Sequence, residues 1–358
     1  SIEDSVLYKE IYELEYNMPG GLPYSFIVAD HTYTGDVRDI SALSQISKVC
    51  AQSHCPFISS VNSSYLGLEC FDELYKLGAL EEYIEQPQFH HVRTLRNLDE
   101  SKYLGLTLPK YIIRKPYGNL NPTANFNYIE NVVDDTSYTW ANASYLLAHN
   151  IIQSYSLSNG ISQIQGPGAG GAITNLPSFG LLPSITKNIY RTATEVMLSE
   201  TNEKKLANIG LIGFSLYKGN DKGCFFSTNS VHKPTTYCDP ESMANAKINS
   251  QMTYVLLMSR IAHHLKIIHR ESIGDISTKE GLSLALNKWL SNLVTKMPDP
   301  DINLINKRPL KDARVNVQDI ENDPGNFDID IFVVPHFKLE GVDIKLSLVS
   351  KLPKESSI

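Results

Sequence analysis

The sequence predicts an α/β fold of mixed sheets flanked by helices, finished by a C-terminal β-meander with a terminal hairpin. Three stretches predict it. Residues 25–61 read strand–helix–strand, residues 242–271 carry a long helical period, and residues 327–350 alternate apolar and polar.

Taken in order, Ile2, Val6, Ile11 and Leu14 lie near helical spacing over 2–17, and Pro19-Gly20-Gly21 stops that helix. Residues 25–29 read as a strand, 36–54 as a helix and 56–61 as a second strand, so a parallel pair is expected. A helix over 69–84 and a strand over 103–108, closed by Pro109, follow. A loop rich in Asn and Pro runs from Gly118 to Asn131. Trp140, Tyr145 and Leu147 mark a helix over 137–157, and a Gly-rich stretch covers 166–171. Residues 209–217 and 223–228 resemble a hairpin turned at Gly219–Lys222. Ile248, Met252, Val255, Ala262 and Leu265 step by threes and fours along a helix over 242–271, which Gly274 ends. A shorter helix is expected over 279–296, before Pro298, and strands at about 313–320, 327–339 and 342–350. The chain divides into a first α/β part (1–118), a middle region (119–240), and long helices with terminal strands (241–358).

The terminal pattern is the most specific. Phe327, Ile329, Ile331, Val333, Phe337 and Leu339 are apolar at odd positions; after Glu340-Gly341 the parity switches to Val342, Ile344, Leu346 and Leu348. A two-residue turn at 340–341 pairs 339 with 342, 337 with 344 and 333 with 348, putting every apolar residue on one face. Lys338 then opposes Asp343. Pro335 cannot donate to a ladder, so the strand is expected to divide there. Residues 327–334 join the body sheet beside 313–320, and 336–350 project as a hairpin with a free outer edge. Such an edge must be covered, charged or paired. Augmentation by another chain's strand along Val342, Ile344, Leu346, Leu348 and Val349 is one reading. A protected edge of the chain's own sheet is the other.

Composition excludes several function classes. A net charge of −7 without a Lys/Arg cluster argues against nucleic-acid binding. No segment approaches the roughly 18 apolar residues of a membrane helix. The first residues lack a signal-peptide pattern and an initiator Met, so a fragment or processed form is expected. Five cysteines at irregular spacing point to a reducing compartment rather than a disulfide framework. Gly166, Gly168 and Gly171 formally match G-x-G-x-x-G, the basis of an alternative reading as a Rossmann-like nucleotide-binding enzyme using loop 166–171. Its context is poor, because Pro167 removes a donor and Pro177 interrupts any following helix. His263, His264 and His269 lack the spacing of a zinc helix, and there is no Gly-x-Ser-x-Gly elbow. No catalytic residue, metal site or cofactor is expected.

Several stretches together resemble one family, the large subunit of the type VI secretion contractile sheath (the VipB/TssC type). They include Lys102-Tyr-Leu-Gly-Leu-Thr-Leu-Pro109, Arg114-Lys-Pro-Tyr-Gly118, Trp140-Ala-Asn-Ala143 and Ser259-Arg-Ile-Ala-His263. Leu286-Asn-Lys-Trp289, Arg308-Pro-Leu310, Pro335-His-Phe-Lys-Leu-Glu-Gly341 and Leu348-Val-Ser-Lys-Leu-Pro353 complete the set. The resemblance runs from about residue 100 to the C-terminus. Ala193 and His264 depart from the family pattern, and so does the want of an N-terminal extension that links neighbouring subunits. These departures point to a divergent branch, with the IglB type the candidate.

The resemblance implies a phage-tail-sheath-like core and a non-enzymatic, cytoplasmic role. It implies an obligate heterodimer with a small sheath subunit. Heterodimers would stack around an inner tube on a membrane-anchored baseplate, contract to drive secretion, and be recycled by an AAA+ ATPase. The terminal hairpin would pair with strands of neighbouring protomers, with Pro335, Lys338, Gly341 and Asp343 shaping it. Lys288 and Lys296 are candidates for contact with the inner tube.

Overall fold

The main sheet has six strands: β1 (Ile27–Tyr33), β2 (Phe57–Val61), β3 (Leu104–Leu108), β4 (Ala172–Ile173), β5 (Ile212–Leu216) and β6 (Gly223–Phe225). In the computed structural model they lie in the order β1-β2-β3-β5-β6-β4. The structure describes residues 2–118, 121–132, 134–161, 163–168, 170–177, 179–180, 190–271, 279–319, 327–336, 338–339, 342–343 and 346–349. β1, β2, β3 and β5 are parallel; β6 runs antiparallel to β5, and β4, antiparallel to β6, runs in the direction of the first four. Every residue of β2 and β3 is buried, as expected of strands covered by helices on both faces.

Helices complete the layers. α1 is a turn at Val6–Tyr8 running on as a π-helix over Lys9–Tyr16. α2 (Val37–Ser53) makes the β1–β2 crossover and buries Ile40, Leu43, Val49 and Cys50. α3 (Ser144–Ser158), α4 (Glu200–Asn208), α5 (Met252–Glu271), α6 (Lys279–Ser291) and α7 (Ile302–Lys307) follow.

α5 belongs to two cores at once. Met252, Val255 and Leu256 sit in the core of the main sheet. Tyr254, Leu257, Met258, Ile261 and Leu265 sit in a second core with Leu282, Leu286 and Leu290 of α6. Steps of three and four put the two sets on different faces of one helix. The helix is therefore buried on most of its circumference, with twelve residues buried from Met252 to Leu265, Thr253, Ser259 and His263 among them.

Several expected boundaries shift. The period over 242–271 is two helices, Pro240–Asn249 and α5, broken at Ser250-Gln251. There the backbone turns aside to pair with 228–230: Met252 N donates to Thr228 O at 2.7 Å and Ser230 N to Ser250 O at 2.7 Å. The helix expected to 296 ends at Ser291, because Thr295 N donates to Leu310 O at 2.9 Å and Val294 bridges Leu310. The helix expected from 137 starts at Ser144; Trp140–Ala141 pairs with Tyr111–Ile112 instead. Residues 69–84 form a 3₁₀ segment, Phe71–Lys76, and a short helix, Leu80–Ile84.

A buried polar lock joins α3 to α7. Asn306 Nδ2 donates to Ser154 Oγ at 3.0 Å and to Ser158 Oγ, and Ser154 Oγ donates to Gly160 O at 3.0 Å. Gly160 leaves no room for a side chain: a Cβ there would stand 1.9 Å from Asn306 O. Gly160→Ala must push α7 off α3, and is expected to destabilise the chain by about 3 kcal/mol. A urea-unfolding midpoint within error of the wild type would contradict this.

Candidate assembly site

The second core is built on a three-stranded sheet. β7 (Leu310–Asp319) pairs antiparallel with β8 (Phe327–Pro335), matching Val315 with Ile331 and Val317 with Ile329. Val315, Val317, Ile329, Ile331 and Val333 are buried, facing α6. On the other face the Arg314 guanidinium lies 4.5 Å from the ring centroid of its cross-strand partner Phe332. Period-two alternation in the sequence sets both faces.

The chain then leaves the sheet and returns. β9 (Lys338–Leu339) and β10 (Val342–Asp343) form a separate two-stranded arm, pairing Leu339 with Val342 and Lys338 with Asp343. That is the register of a turn at 340–341. β11 (Leu346–Val349) folds back onto β8 and forms the edge of the sheet β7-β8-β11. Phe337, Glu340, Gly341, Ile344 and Lys345 lie outside the described residues.

Two expectations are corrected. Residues 336–350 do not project as one hairpin, since β11 is a strand of the body sheet. Val333 pairs with Leu346, not Leu348, and Ile331 pairs with Leu348. From the pair 338↔343 to the pair 333↔346, one strand advances five residues and the other three. The two extra residues lie around Pro335, the last residue of β8, and His336. His336 N donates to Pro309 O at 2.9 Å and its Nε2 lies 3.0 Å from Thr295 O. This excursion toward β7 takes up the slack of a bulge. A slip of two preserves which face each residue occupies, so the apolar pattern alone cannot detect it.

The sheet's two edges differ. On the β7 side, the Asn287 side chain of α6 clasps the backbone of Val315. Its Oδ1 accepts from Val315 N at 2.8 Å, and its Nδ2 donates to Val315 O at 2.9 Å. An amide side chain thus imitates a neighbouring strand, and nothing in the sequence pattern marks that role. On the β11 side, no strand among the described residues pairs with the outer edge. Lys288 is exposed on α6, one turn from Leu284, which is 72% exposed. Lys296 is also exposed, five residues beyond the end of that helix.

A second cluster ties α1, α2 and α5 together. His54 caps α2 in the left-handed conformation, and its Nδ1 lies 2.9 Å from the Tyr103 hydroxyl. His263 Nε2 lies 2.8 Å from Ser53 O. The Tyr16 ring packs on both imidazoles, at 6.0 and 5.7 Å between centroids. Lys266 Nζ stands 3.6 Å from the Tyr16 ring centroid, and Arg270 donates to the carbonyls of Tyr16 and Met18. Burial pulls both His54 and His263 down to about 4, and their neighbours Lys266 and His263 or His264 act in the same direction. This junction was invisible in the sequence, its members being scattered from Tyr16 to Arg270.

The glycine loop is not a phosphate cradle. Gly166 N donates to Phe225 O at 2.7 Å and Gly171 N to Gly166 O at 2.9 Å, so these donors are spent inside the fold. The loop leads into β4 rather than a helix. Gly166 and Gly170 hold φ of 76° and 84°, and a Cβ on Gly171 would meet Gln165 C at 2.5 Å, so the glycines serve a tight turn. Among the described residues, no group of three His, Cys, Asp or Glu could hold a metal ion. No helix there is long and apolar enough to cross a membrane.

Two family profiles match the chain. One, described as EvpB/VC_A0108, tail sheath N-terminal domain, covers residues 1–232; the other, the tail sheath gpW/gp25-like domain of the same family, covers 241–352. The Type VI secretion system sheath protein TssC1 of Pseudomonas aeruginosa is 33% identical over 355 residues, 98% of this chain and 71% of that protein. Among solved structures, a chain of the anti-feeding prophage baseplate aligns at a TM-score of 0.46 and 7% identity, over 87% of this chain and 66% of that one. A chain of the contracted helical sheath of the same particle aligns at 0.45 and 8%, over 89% and 69%.

Proposed function

The chain belongs to the EvpB/VC_A0108 tail-sheath family, and on that premise we propose that it is a structural subunit of a contractile secretion sheath. It pairs with a small sheath subunit, and the heterodimers polymerise in the cytoplasm into a tube docked on a baseplate. Contraction of that tube drives an inner tube outward, and an AAA+ ATPase recycles the spent sheath. The work is done by assembly and rearrangement, not by a catalytic centre.

The observation that carries this reading is the asymmetry of the terminal sheet. One edge is clasped by Asn287, and the other, β11, has no strand beside it among the described residues. A sheet with one sealed and one open edge suits a protein that adds a neighbour's strand on one side only. Val342, Ile344, Leu346, Leu348 and Val349 would carry the pairing. Pro335, Lys338, Gly341 and Asp343 would shape the arm before it. Strand pairing can persist while subunit bodies rotate, so a contracting tube keeps its connections. The proposed division remains a first α/β part (1–118), a middle region (119–240) and the assembly part (241–358), and α5 contributes to both cores.

The direct test is co-expression, at full length, with the small sheath subunit. Mass photometry should find a one-to-one complex. A chain that never co-purifies with that subunit would overturn the reading.

The exposed face around Lys288, with Lys296 nearby, is proposed to touch the inner tube. Reversing both charges (K288E with K296E) should uncouple the inner tube, lowering its co-purification with sheaths at least tenfold without preventing sheath assembly. Unchanged co-purification would refute the contact.

A further inference from the structure

A cavity of about 490 Å³ opens between α4 and the β5–β6 hairpin. Its construction starts from Gly213. Alternation along β5 puts Gly213, Ser215 and Tyr217 on one face of the sheet. The missing side chain at 213 lets α4 lie close: a Cβ there would stand 3.4 Å from Glu203 Cγ and 3.0 Å from Leu198 Cδ1. Glu203 is thereby laid against the sheet, 6% exposed.

The cavity's polar groups are under-used. The Glu203 carboxyl accepts its hydrogen bonds from Ser227, through its Oγ and its backbone N–H. Among the described residues no cation pairs with it; the charged neighbour acting on it is Glu200, of the same sign. Burial raises its pKa, the expected response of a carboxyl without a counter-ion. Ser215, also 6% exposed, lines the same cavity, and its buried hydroxyl has no hydrogen-bond partner. Buried polar groups in folded proteins are nearly always satisfied, so an unpartnered Ser215 hydroxyl close to a buried carboxyl requires an explanation. The walls are aromatic. Tyr217 and Phe226 meet edge-on with centroids 6.2 Å apart, and are 39% and 45% exposed. Lys204 stands exposed at the rim and does not fill the space.

A carboxyl at the base, an unspent hydroxyl beside it and aromatic rings at the mouth fit one ligand chemistry: a planar cation on an apolar stem. A guanidinium can meet a carboxylate with two donors and a hydroxyl with a third, and its plane stacks on aromatic faces. Its methylenes bury along the same rings. We propose that this cavity is the socket for an arginine side chain of a neighbouring polypeptide in the assembly, with its guanidinium on Glu203 and Ser215 and its stem between Tyr217 and Phe226. That the arginine belongs to a neighbouring subunit rests on the proposed sheath role; the chemistry of the socket does not.

The probe is a fluorescent peptide, acetyl-Gly-Arg-Gly-amide, titrated onto the full chain beside its citrulline counterpart, which keeps the shape and removes the charge. The arginine peptide should bind at least tenfold tighter. Glu203→Gln should erase that preference without lowering the melting temperature, since it neutralises a carboxyl that has no counter-ion. Tyr217→Ala, at a half-exposed position, should weaken the arginine peptide several-fold. Equal binding of the two peptides, or a preference that survives Glu203→Gln, would overturn the socket. Agmatine binding as tightly as the peptide would make the cavity a small-molecule site and overturn it too. In co-expression, wild-type tubes with none from Glu203→Gln support the socket, and equal tubes from both count against it alone. A wild-type chain that forms no tubes while preferring the arginine peptide counts against the sheath role and leaves the socket standing.

Discussion

Leu346→Pro should abolish tubes and spare the complex with the small subunit. Leu346 opens β11, the edge strand whose inner side pairs with β8 through Val333↔Leu346 and Ile331↔Leu348. Proline removes a donor and fixes φ, so four residues of strand cannot keep both a straight edge and their bonds to β8. The rest of the sheet does not depend on β11. β7 and β8 pair over their full length, Asn287 holds the β7 edge, and Leu286 and Leu290 are fully buried beneath. The stability cost should therefore be about 1 kcal/mol. The loss of assembly should be complete in negative-stain images, because each protomer in a lattice needs its edge. Leu346→Val, which keeps the backbone and suits a strand, should assemble normally. Normal tubes from the proline variant would remove β11 from the account.

Acidification should unlock the junction between α1, α2 and α5. His54 and His263 titrate at about 4 in the folded chain and near 6.5 when unfolded. Above pH 6.5 both states hold neutral imidazoles, and the pair leaves stability unchanged. Below it the unfolded chain takes up two protons that the folded chain refuses. Stability then falls as pH drops toward 4, and levels off only where the folded imidazoles also protonate. Two groups give a limiting slope of about 2.7 kcal/mol per pH unit, a loss on the order of several kcal/mol by pH 4.5. The groups around the pair reinforce the effect. Lys266 from α5 and Lys102 beside Tyr103 are both cationic, and Tyr16 and Tyr103 stay neutral because burial raises their hydroxyls. Glu203 works in the opposite sense, since its raised pKa lets the folded chain take a proton first. Urea midpoints at pH 7.5 and 4.5 measure the slope. His263→Asn should roughly halve it; a slope unaffected by that change would place the acid sensitivity elsewhere.

The fold was legible where burial is continuous or strictly periodic. β2 (Phe57-Ile-Ser-Ser-Val61) and β3 (Leu104-Gly-Leu-Thr-Leu108) read as short strands of apolar and small residues, α2 lies between β1 and β2, and β7 and β8 alternate cleanly. The break before α5 was hidden because both halves keep a helical period, while residues 228–230, some twenty positions earlier, capture the backbone at 250–252. The register of β11 was hidden because a two-residue slip leaves every side chain on its predicted face. At the assembly site, the open edge could be read from alternation and from Pro335. Its sealed counterpart could not, because Asn287 acts through side-chain bonds to backbone 28 residues away. The Glu203 cavity was equally silent, since it depends on Gly213 admitting α4 close against the strand that follows it.

The claim on which the rest depends is that this chain builds a tube through the outer edge of β11. Electron cryomicroscopy of the full-length chain co-expressed with its small sheath subunit tests it directly. A helical tube is expected in which residues 346–349 carry β8 on one side and a strand of a neighbouring protomer on the other. Heterodimers that never polymerise, or a tube in which that edge has no strand from another chain, would contradict it.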